Sequence, residues 1–445
     1  MPSPAPEPLA PRPLSVWLVS PLDDIPGEGM PAARVRTLAR VLAARGHDVT
    51  WWSSTWSHRR KAIRALPLGI LDDEGFAVRL VAARPYPKDV SLARLASHRD
   101  FGRNFERLAS EALAADQLER PDVIVAALPP LEGVEAAVRL ARRLDATVVA
   151  DVARAWPESF TALLPGPPLV RRLLAAFAVG GMADRKRRLL ASVDGVIASS
   201  QACLDGLAPE LPASLPRHVC PVGAYLQDFV APRRPLPAGP GAAAAATDAA
   251  APQLRCVYAG ALEPGRDLQT LVAAARLLST RGVAATIHVA GTGPWAERLR
   301  QSAEAVPGPC RMVLHGPLDR RGHVRLLADC DVGLVLAGTD APARLPAKAC
   351  DYAAAGLALV TGPGSELASL VEEFEAGLDY VPGDAASLAR AVAALAEDRG
   401  RLSELRRGAR RLAAARFDRE RTVAALADWL ETLPGGQPPE QASPP

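Results

Sequence analysis

Two stretches of this chain, on either side of a Pro/Gly/Ala-rich segment, open with the same succession of patterns. In the first, the apolar run Leu14–Ser20 (LSVWLVS) has the length and β-branched content of a buried strand. The loop PLDDIPGEG follows. Val35, Leu38, Ala39 and Leu42 then recur at helical spacing, with Pro31 suited to a first turn and Gly46 to a stop. DVTWWSS reads as the next strand. In the second, LRCVYAG is the strand and ALEPGRD the loop. Leu268, Leu271, Val272, Ala275 and Leu278 form the helical stripe, Gly282 ends it, and ATIHVAG is the next strand. The alternation continues through PDVIVAAL, ATVVADV and DGVIASS in the first half, and RMVLHG, DVGLVLA and LALVTG in the second. Strands alternating with helices imply parallel sheets covered on both faces. The expectation is an α/β chain of two Rossmann-like domains facing across a cleft, with ligands outside the carboxyl ends of the strands.

Length agrees, since 445 residues exceed one ordinary domain of ~150. Apolar residues at 49% and charged residues at 23% suit a chain that buries sizeable cores. A net charge of +3 gives no global reason to expect nucleic acid as a partner. The six cysteines are scattered, with no Cys-x-x-Cys pair and no His at zinc-ligand spacing, so they read as reduced, mostly buried thiols. The start, MPSPAPEPLAPRP, lacks the features of a signal peptide, and no stretch offers the ~20 uncharged apolar residues of a membrane span. The expected location is the cytoplasm, with peripheral attachment at the inner face of a membrane left open. Residues 1–13 and 435–445 read as disordered tails, and 231–253 as a linker or long surface loop. The expected N-terminal domain is then 14–230 and the C-terminal domain 254–417.

Several loops could carry chemistry. Gly27, Glu28 and Gly29 lie in the first strand-to-helix loop, where glycines let backbone N–H groups approach an anion; a tight βα turn needs the same residues. There is no GxGxxG fingerprint and no P-loop, which argues against NAD and ATP. Gly291 and Gly293 end a strand of the second half and could pass beneath a nucleotide. Gly260 and Arg266 could add space and a positive charge for a diphosphate. Lys348 and Asp351 are three apart on an expected helix, a spacing that equally suits a plain surface ion pair. Residues 167–190 combine a short apolar stretch with Arg171 and Arg172 before it and Arg185, Lys186, Arg187 and Arg188 after. An interfacial helix drawn to anionic lipid has this pattern, and so does an amphipathic core helix with a solvated basic end.

From Leu14 to about Ala427 the chain resembles the family-4 glycosyltransferases (glycosyl transferases group 1, GT-B fold), particularly members acting in bacterial cell-surface polysaccharide assembly. The resemblance is carried by PGEG followed by Arg34, by GHDVTWWSS, by Trp56-Ser57-His58 and by Trp156-Pro157-Glu158-Ser159. PVGAYLQDF, VYAG, GTGP and LPAKACDYAAAGLALV continue it. It implies transfer of a sugar from a nucleotide-diphosphate sugar to a glycan or lipid-linked acceptor, retaining and with neither metal nor cofactor. Lys348 and Arg266 would stabilise the departing diphosphate, Asp351 would hold the ribose, and the Gly27–Gly29 loop would sit near the transferred sugar. His58 and Glu158 are the acceptor-side candidates, and 418–434 would form a closing helix packed back across the junction. The family's first acidic motif residue falls on Ala343, Arg154 stands where an acidic residue is usual, and Arg266 lacks its usual basic companion. Two rivals therefore stand: a sugar-nucleotide 2-epimerase of the same fold, and a degenerate GT-B protein that binds without turnover.

Overall fold

The computed structural model describes residues 12–28, 34–64, 70–71, 74–88, 91–152, 181–230, 253–336 and 345–433. Gly29, Pro31, Arg154, Glu158, Arg171, Arg172 and Ala343 lie outside them, as do the expected tails and linker apart from Arg12, Pro13 and Gln253. Arg12 is tied to the body by an ion pair with Asp122 at 2.5 Å.

The chain forms two α/β units. In the first, eight strands lie in the order Arg217–Val219, Gly195–Ala198, Thr147–Val152, Val123–Leu128, Ser15–Val19, Asp48–Ser54, Ala77–Val81 and Ile70–Leu71. All pairings are parallel except the last, where the short edge strand runs antiparallel. Strand side chains alternate between faces, and each face here meets its own core. Trp17, Val19 and Trp52 enter one apolar cluster with helices Leu92–Ala114 and Leu131–Leu144. Val16, Leu18 and Trp51 enter the other, with helix Arg34–Ala44. The adjacent tryptophans of DVTWWSS thus serve opposite faces of one sheet, which is why the run is apolar throughout rather than alternating.

The second unit has a six-stranded, wholly parallel sheet in the order Cys310–Gly316, Ala285–Ala290, Leu254–Ala259, Val332–Val335, Ala358–Thr361 and Gly377–Asp379. Cys256 and Tyr258 point into one cluster and Val257 and Ala259 into the other. None of the six cysteines is in a disulfide, and five of them are buried.

The chain passes from the first unit to the second between Cys220 and Pro221, and returns between Thr422 and Val423. Both crossings depart from the expected boundaries at 230 and 417. The reason is packing: Ala224 is buried in a second-unit core, bridges to Asp418, and has Leu226 and Phe229 against the same cluster. The helix Arg419–Glu431 begins with Arg419 donating to the carbonyls of Val222 and Gly223 at 2.8 and 3.0 Å. Farther along, Val423, Leu426, Ala427 and Leu430 recur at helical spacing and are buried in the first unit's core.

Candidate functional site

In the second unit the candidate residues gather at the carboxyl ends of the strands. Gly260 follows Leu254–Ala259 and Gly291 follows Ala285–Ala290, with φ of +156° and +147°. A Cβ on Gly291 would fall 1.8 Å from the carbonyl oxygen of Gly260, and one on Gly293 would fall 2.2 Å from that of Leu262. The two loops are laced together: Gly260 N donates to Ala290 O at 2.9 Å, Leu262 N to Thr292 O at 2.8 Å, and Trp295 N to Leu262 O at 2.9 Å. Gly291 and Gly293 are therefore needed first for backbone to pass backbone, a reason that the local motif does not reveal.

Lys348 stands beside this floor on the first turn of helix Ala347–Ala354. Its Nζ lies 3.8 Å from the centre of the Tyr258 ring, and a Cβ on Gly260 would sit 2.8 Å from it. The ammonium thus rests on an aromatic face, a favourable cation–π position, and uses the space that glycine leaves. No carboxylate pairs with it among the described residues. Burial, and then the like charge of Arg266, lowers its pKa to about 7. Arg266 itself is half exposed and paired with Glu263 at 3.0 Å, so it is a cation at the rim rather than a free anchor.

Asp351 does not pair with Lys348. Its Oδ2 accepts from Arg320 at 3.0 Å and lies 3.1 Å from Nε2 of His323. Burial pushes this carboxyl up, but the contacts from His323 and Arg320 outweigh it and hold the group below its ordinary range. Arg320 also binds Asp228 at 2.5 Å. Asp351 is thus held as a carboxylate, with Oδ1 left as an acceptor among the described residues. Tyr258, Arg320 and His323 went unnoticed in the sequence because their link to the site runs through distant segments. Tyr352, on the same helix, accepts from the Ala259 N–H at 2.7 Å and fixes that helix to the strand leading into Gly260.

In the first unit, Gly27 has φ +84° with open space about its Cα, as a left-handed turn requires. Glu28 is not free to meet a ligand. Its carboxylate takes two bonds from Arg64, at 3.1 and 2.9 Å, and a third from Ile25 N at 2.9 Å. The Arg64 side chain is 2% exposed and also donates to Ser53 Oγ, Ser54 O and Asp23 O. Glu28 therefore holds the loop in shape. Arg34 reaches Asp151 and the carbonyl of Cys220 at the carboxyl edge of this sheet. Beside them Asp23 accepts from Ser20 at 2.6 Å, and burial raises its pKa. His58 Nδ1 lies 2.6 Å from the Tyr86 hydroxyl.

The basic run Arg185–Arg188 is only half open, with Arg187 and Arg188 exposed and the other two engaged internally. Arg185 binds Glu132 and Glu135, and Lys186 is buried with its Nζ 3.1 Å from Glu210. Arg187 meets Asp184 at 3.4 Å. Among the described residues no helix is long and apolar enough to cross a membrane, and no group of three metal-ligating side chains occurs.

One consequence for stability follows from the Arg64–Glu28 contact. Replacing Arg64 with Met strands a buried carboxylate, so unfolding stability at pH 7 should fall by about 3–5 kcal/mol. Glu28 has a depressed pKa: burial opposes ionisation, but the Arg64 and Ile25 bonds outweigh it. That stability is present above the ordinary glutamate range and lost as pH falls through the folded value. The gap between variant and parent should accordingly narrow in acid, which urea unfolding at several pH values would measure.

Known proteins resemble this chain in sequence and in fold. The model of the family described as "Glycosyl transferases group 1" matches residues 253–398. The Salmonella typhimurium protein WcaL, assigned as a glycosyltransferase of colanic acid biosynthesis, is 28% identical over 186 residues. That match covers 40% of this chain and spans 45% of the length of WcaL. Among solved structures, sucrose-phosphate synthase from Thermosynechococcus elongatus superposes with a TM-score of 0.69 at 17% identity, covering 94% of this chain and 98% of that one. Anabaena HepE in complex with UDP-glucose gives 0.62 at 15% identity, covering 94% and 100%. The Escherichia coli trehalose-6-phosphate protein bound with UDP-2-fluoro glucose gives 0.62 at 15%, covering 94% and 99%. The expected α/β class with two Rossmann-like units is thereby met, and residues 253–398 are similar to the glycosyl transferases group 1 domain.

Proposed function

We propose that the chain is a glycosyltransferase that moves a sugar from a nucleoside-diphosphate sugar to a glycan or lipid-linked acceptor. The observation that carries this is Lys348, a cation held on Tyr258 above a floor of close-packed glycines, with no carboxylate partner among the described residues. A diphosphate is the ligand such a group lacks. Arg266 at the rim would add a second charge as the diphosphate departs, stabilising the charge that develops there. Asp351, fixed by Arg320 and His323, would accept from ribose hydroxyls through its remaining oxygen. The domain match and the neighbours holding UDP or UDP-sugars support a uridine-type donor, and the likeness to WcaL supports surface-polysaccharide assembly. We further propose family-4 chemistry, retaining and independent of metal, in the cytoplasm.

Attachment to an anionic membrane surface through Arg171–Arg188 would have to rest on residues other than Arg185 and Lys186, which are engaged internally. The epimerase and degenerate-binder readings are not favoured, since the family model and WcaL both point to glycosyl transfer. A panel of nucleotide sugars tests the proposal. One of them should raise the melting temperature by mass action and release nucleoside diphosphate slowly without acceptor. Stabilisation by none of the panel would overturn the donor assignment, and interconversion of sugar epimers without release would favour the epimerase.

A further inference from the structure

The helix Arg399–Leu412, RGRLSELRRGARRL, carries an unusual load of arginine, and its capping residue Asp398 accepts from Arg401 N. The arginines are sorted by face. Arg401 pairs with Glu404 at 3.5 Å and Arg411 with Glu375 at 4.0 Å. Arg399, Ser403, Arg406, Arg407 and Arg410 instead share a helical stripe and, with Asp331, line a cavity of about 320 Å³. Four arginines thus line one space beside a single carboxylate. That carboxylate is already engaged: Asp331 accepts from Arg406 at 2.9 Å and from Arg255 N at 3.1 Å. Arg406 is further occupied by the Gly356 carbonyl at 2.8 Å. Arg407 reaches only the Ser403 hydroxyl, at 3.2 Å, and neither it nor Arg410 has an acidic partner among the described residues. The Arg410 stem lies across Gly356, where an added Cβ would meet its Cγ at 3.0 Å. The arginine is thereby laid along the cavity wall.

The place of this cavity separates it from the donor site. Asp331 and Gly356 precede strands Val332–Val335 and Ala358–Thr361, so the cavity opens at the amino edge of the sheet. Gly260, Gly291 and Lys348 stand at the carboxyl edge. From Arg255, which binds Asp331, to Gly260 at the far end of the same strand is about 16 Å at ~3.3 Å per residue. Like charges crowded around an open space repel, and an anion that fills it relieves them. Guanidinium forks match phosphate oxygens in pairs, and the volume exceeds what one phosphate needs.

We propose that this cavity is a second anion site, binding a diphosphate or phosphorylated small molecule, or the phosphate of a lipid headgroup, through Arg407, Arg410 and the Ser403 hydroxyl. Its occupation is independent of the donor site. Calorimetric titration of the full chain with inorganic pyrophosphate at low salt tests it. Three proteins are compared: the parent, Arg407→Ser/Arg410→Ser, and Lys348→Met, which alters only the carboxyl edge. Both arginines are exposed, so the double variant should fold, and its melting curve checks that. The expected result is pyrophosphate binding in the parent, weakened at least tenfold in the double variant and retained in Lys348→Met. Sedimentation with phosphatidylglycerol vesicles then assigns the source. Binding lost in the double variant marks a lipid headgroup, and no vesicle binding alongside pyrophosphate binding marks a soluble phosphate compound. An unchanged affinity in the double variant, or binding abolished by Lys348→Met alone, would overturn the second site.

Discussion

Exchanging Lys348 for Met should weaken nucleoside-diphosphate binding on the order of a hundredfold, leave nucleoside binding almost unchanged, and yet make the free protein more stable near pH 6. A hydrogen bond to a charged group contributes about 1.5–3 kcal/mol, and the diphosphate would lose one made in a low-dielectric site. The stability gain has the same origin. Burial lowers the folded-state pKa of Lys348 to about 7, well below its ordinary value of 10.5. Below pH 7 the group is charged whether folded or not, and folding carries the full cost of burying that charge. Between pH 7 and 10.5 the unfolded chain holds a proton that the folded one has released, so stability rises with pH. Methionine removes the buried charge and should flatten that rise. Ligand binding has the opposite slope. A bound diphosphate favours the ammonium, so above pH 7 binding must take up a proton, and affinity should fall by up to tenfold per pH unit in the parent only. Titration of UDP and uridine at pH 6, 7, 8 and 9 would measure the binding effects, and urea unfolding at the same pH values the effect on stability. Equal losses for UDP and uridine, or a parent affinity flat across that range, would remove Lys348 from the diphosphate site.

Much of the architecture was legible because strands buried on both faces leave continuous apolar runs that loops punctuate. LSVWLVS, PDVIVAAL and LRCVYAG each became a central strand. The strands without such runs escaped. Ala77–Val81 contains Arg79, whose guanidinium lies 5.9 Å from the centre of the Trp52 ring, and Arg217–Val219 is a half-buried edge strand. Gly377–Asp379 has only three residues and ends in an exposed Asp. The candidate site was legible as a set of positions but not as a set of contacts. Spacing placed Lys348 and Asp351 on one helix face, yet their partners come from Tyr258 on one strand and from Arg320 and His323 on another helix. Glu28 illustrates the same limit, since a loop carboxylate suggests a ligand group until the buried Arg64 is seen to hold it. A local pattern records which residue faces a side, while its partner is chosen by the tertiary path of the chain.

The glycines of the two loops differ in what they do, and a pair of alanine substitutions should separate them by about 2–3 kcal/mol. At Gly291 the new Cβ would lie 1.8 Å from the Gly260 carbonyl oxygen, and φ is +147°. No rotamer relieves this, because both partners are backbone. The strand ends must part by more than an ångström, breaking the Gly260–Ala290 bond that joins them. Backbone strain of this kind costs about 1–3 kcal/mol, and forced displacement in a packed region about as much again. The expected loss for Gly291→Ala is therefore about 3–5 kcal/mol, a large share of the 5–15 kcal/mol that ordinarily holds a domain folded. At Gly27 the φ of +84° is also left-handed, but no atom lies within 4 Å of the added carbon. Only the conformational term applies there, about 1–2 kcal/mol. Gly260→Ala gives a third behaviour, because its Cβ would meet the mobile end of Lys348 rather than backbone. That variant should keep more of its stability than Gly291→Ala while displacing the ammonium from the Tyr258 face, and so should lose diphosphate affinity first. Urea unfolding of the three variants, read beside UDP titration, distinguishes a glycine required by the fold from one required by the ligand. A Gly291→Ala protein within 1 kcal/mol of its parent would show that the loops do not pass as closely as this packing requires.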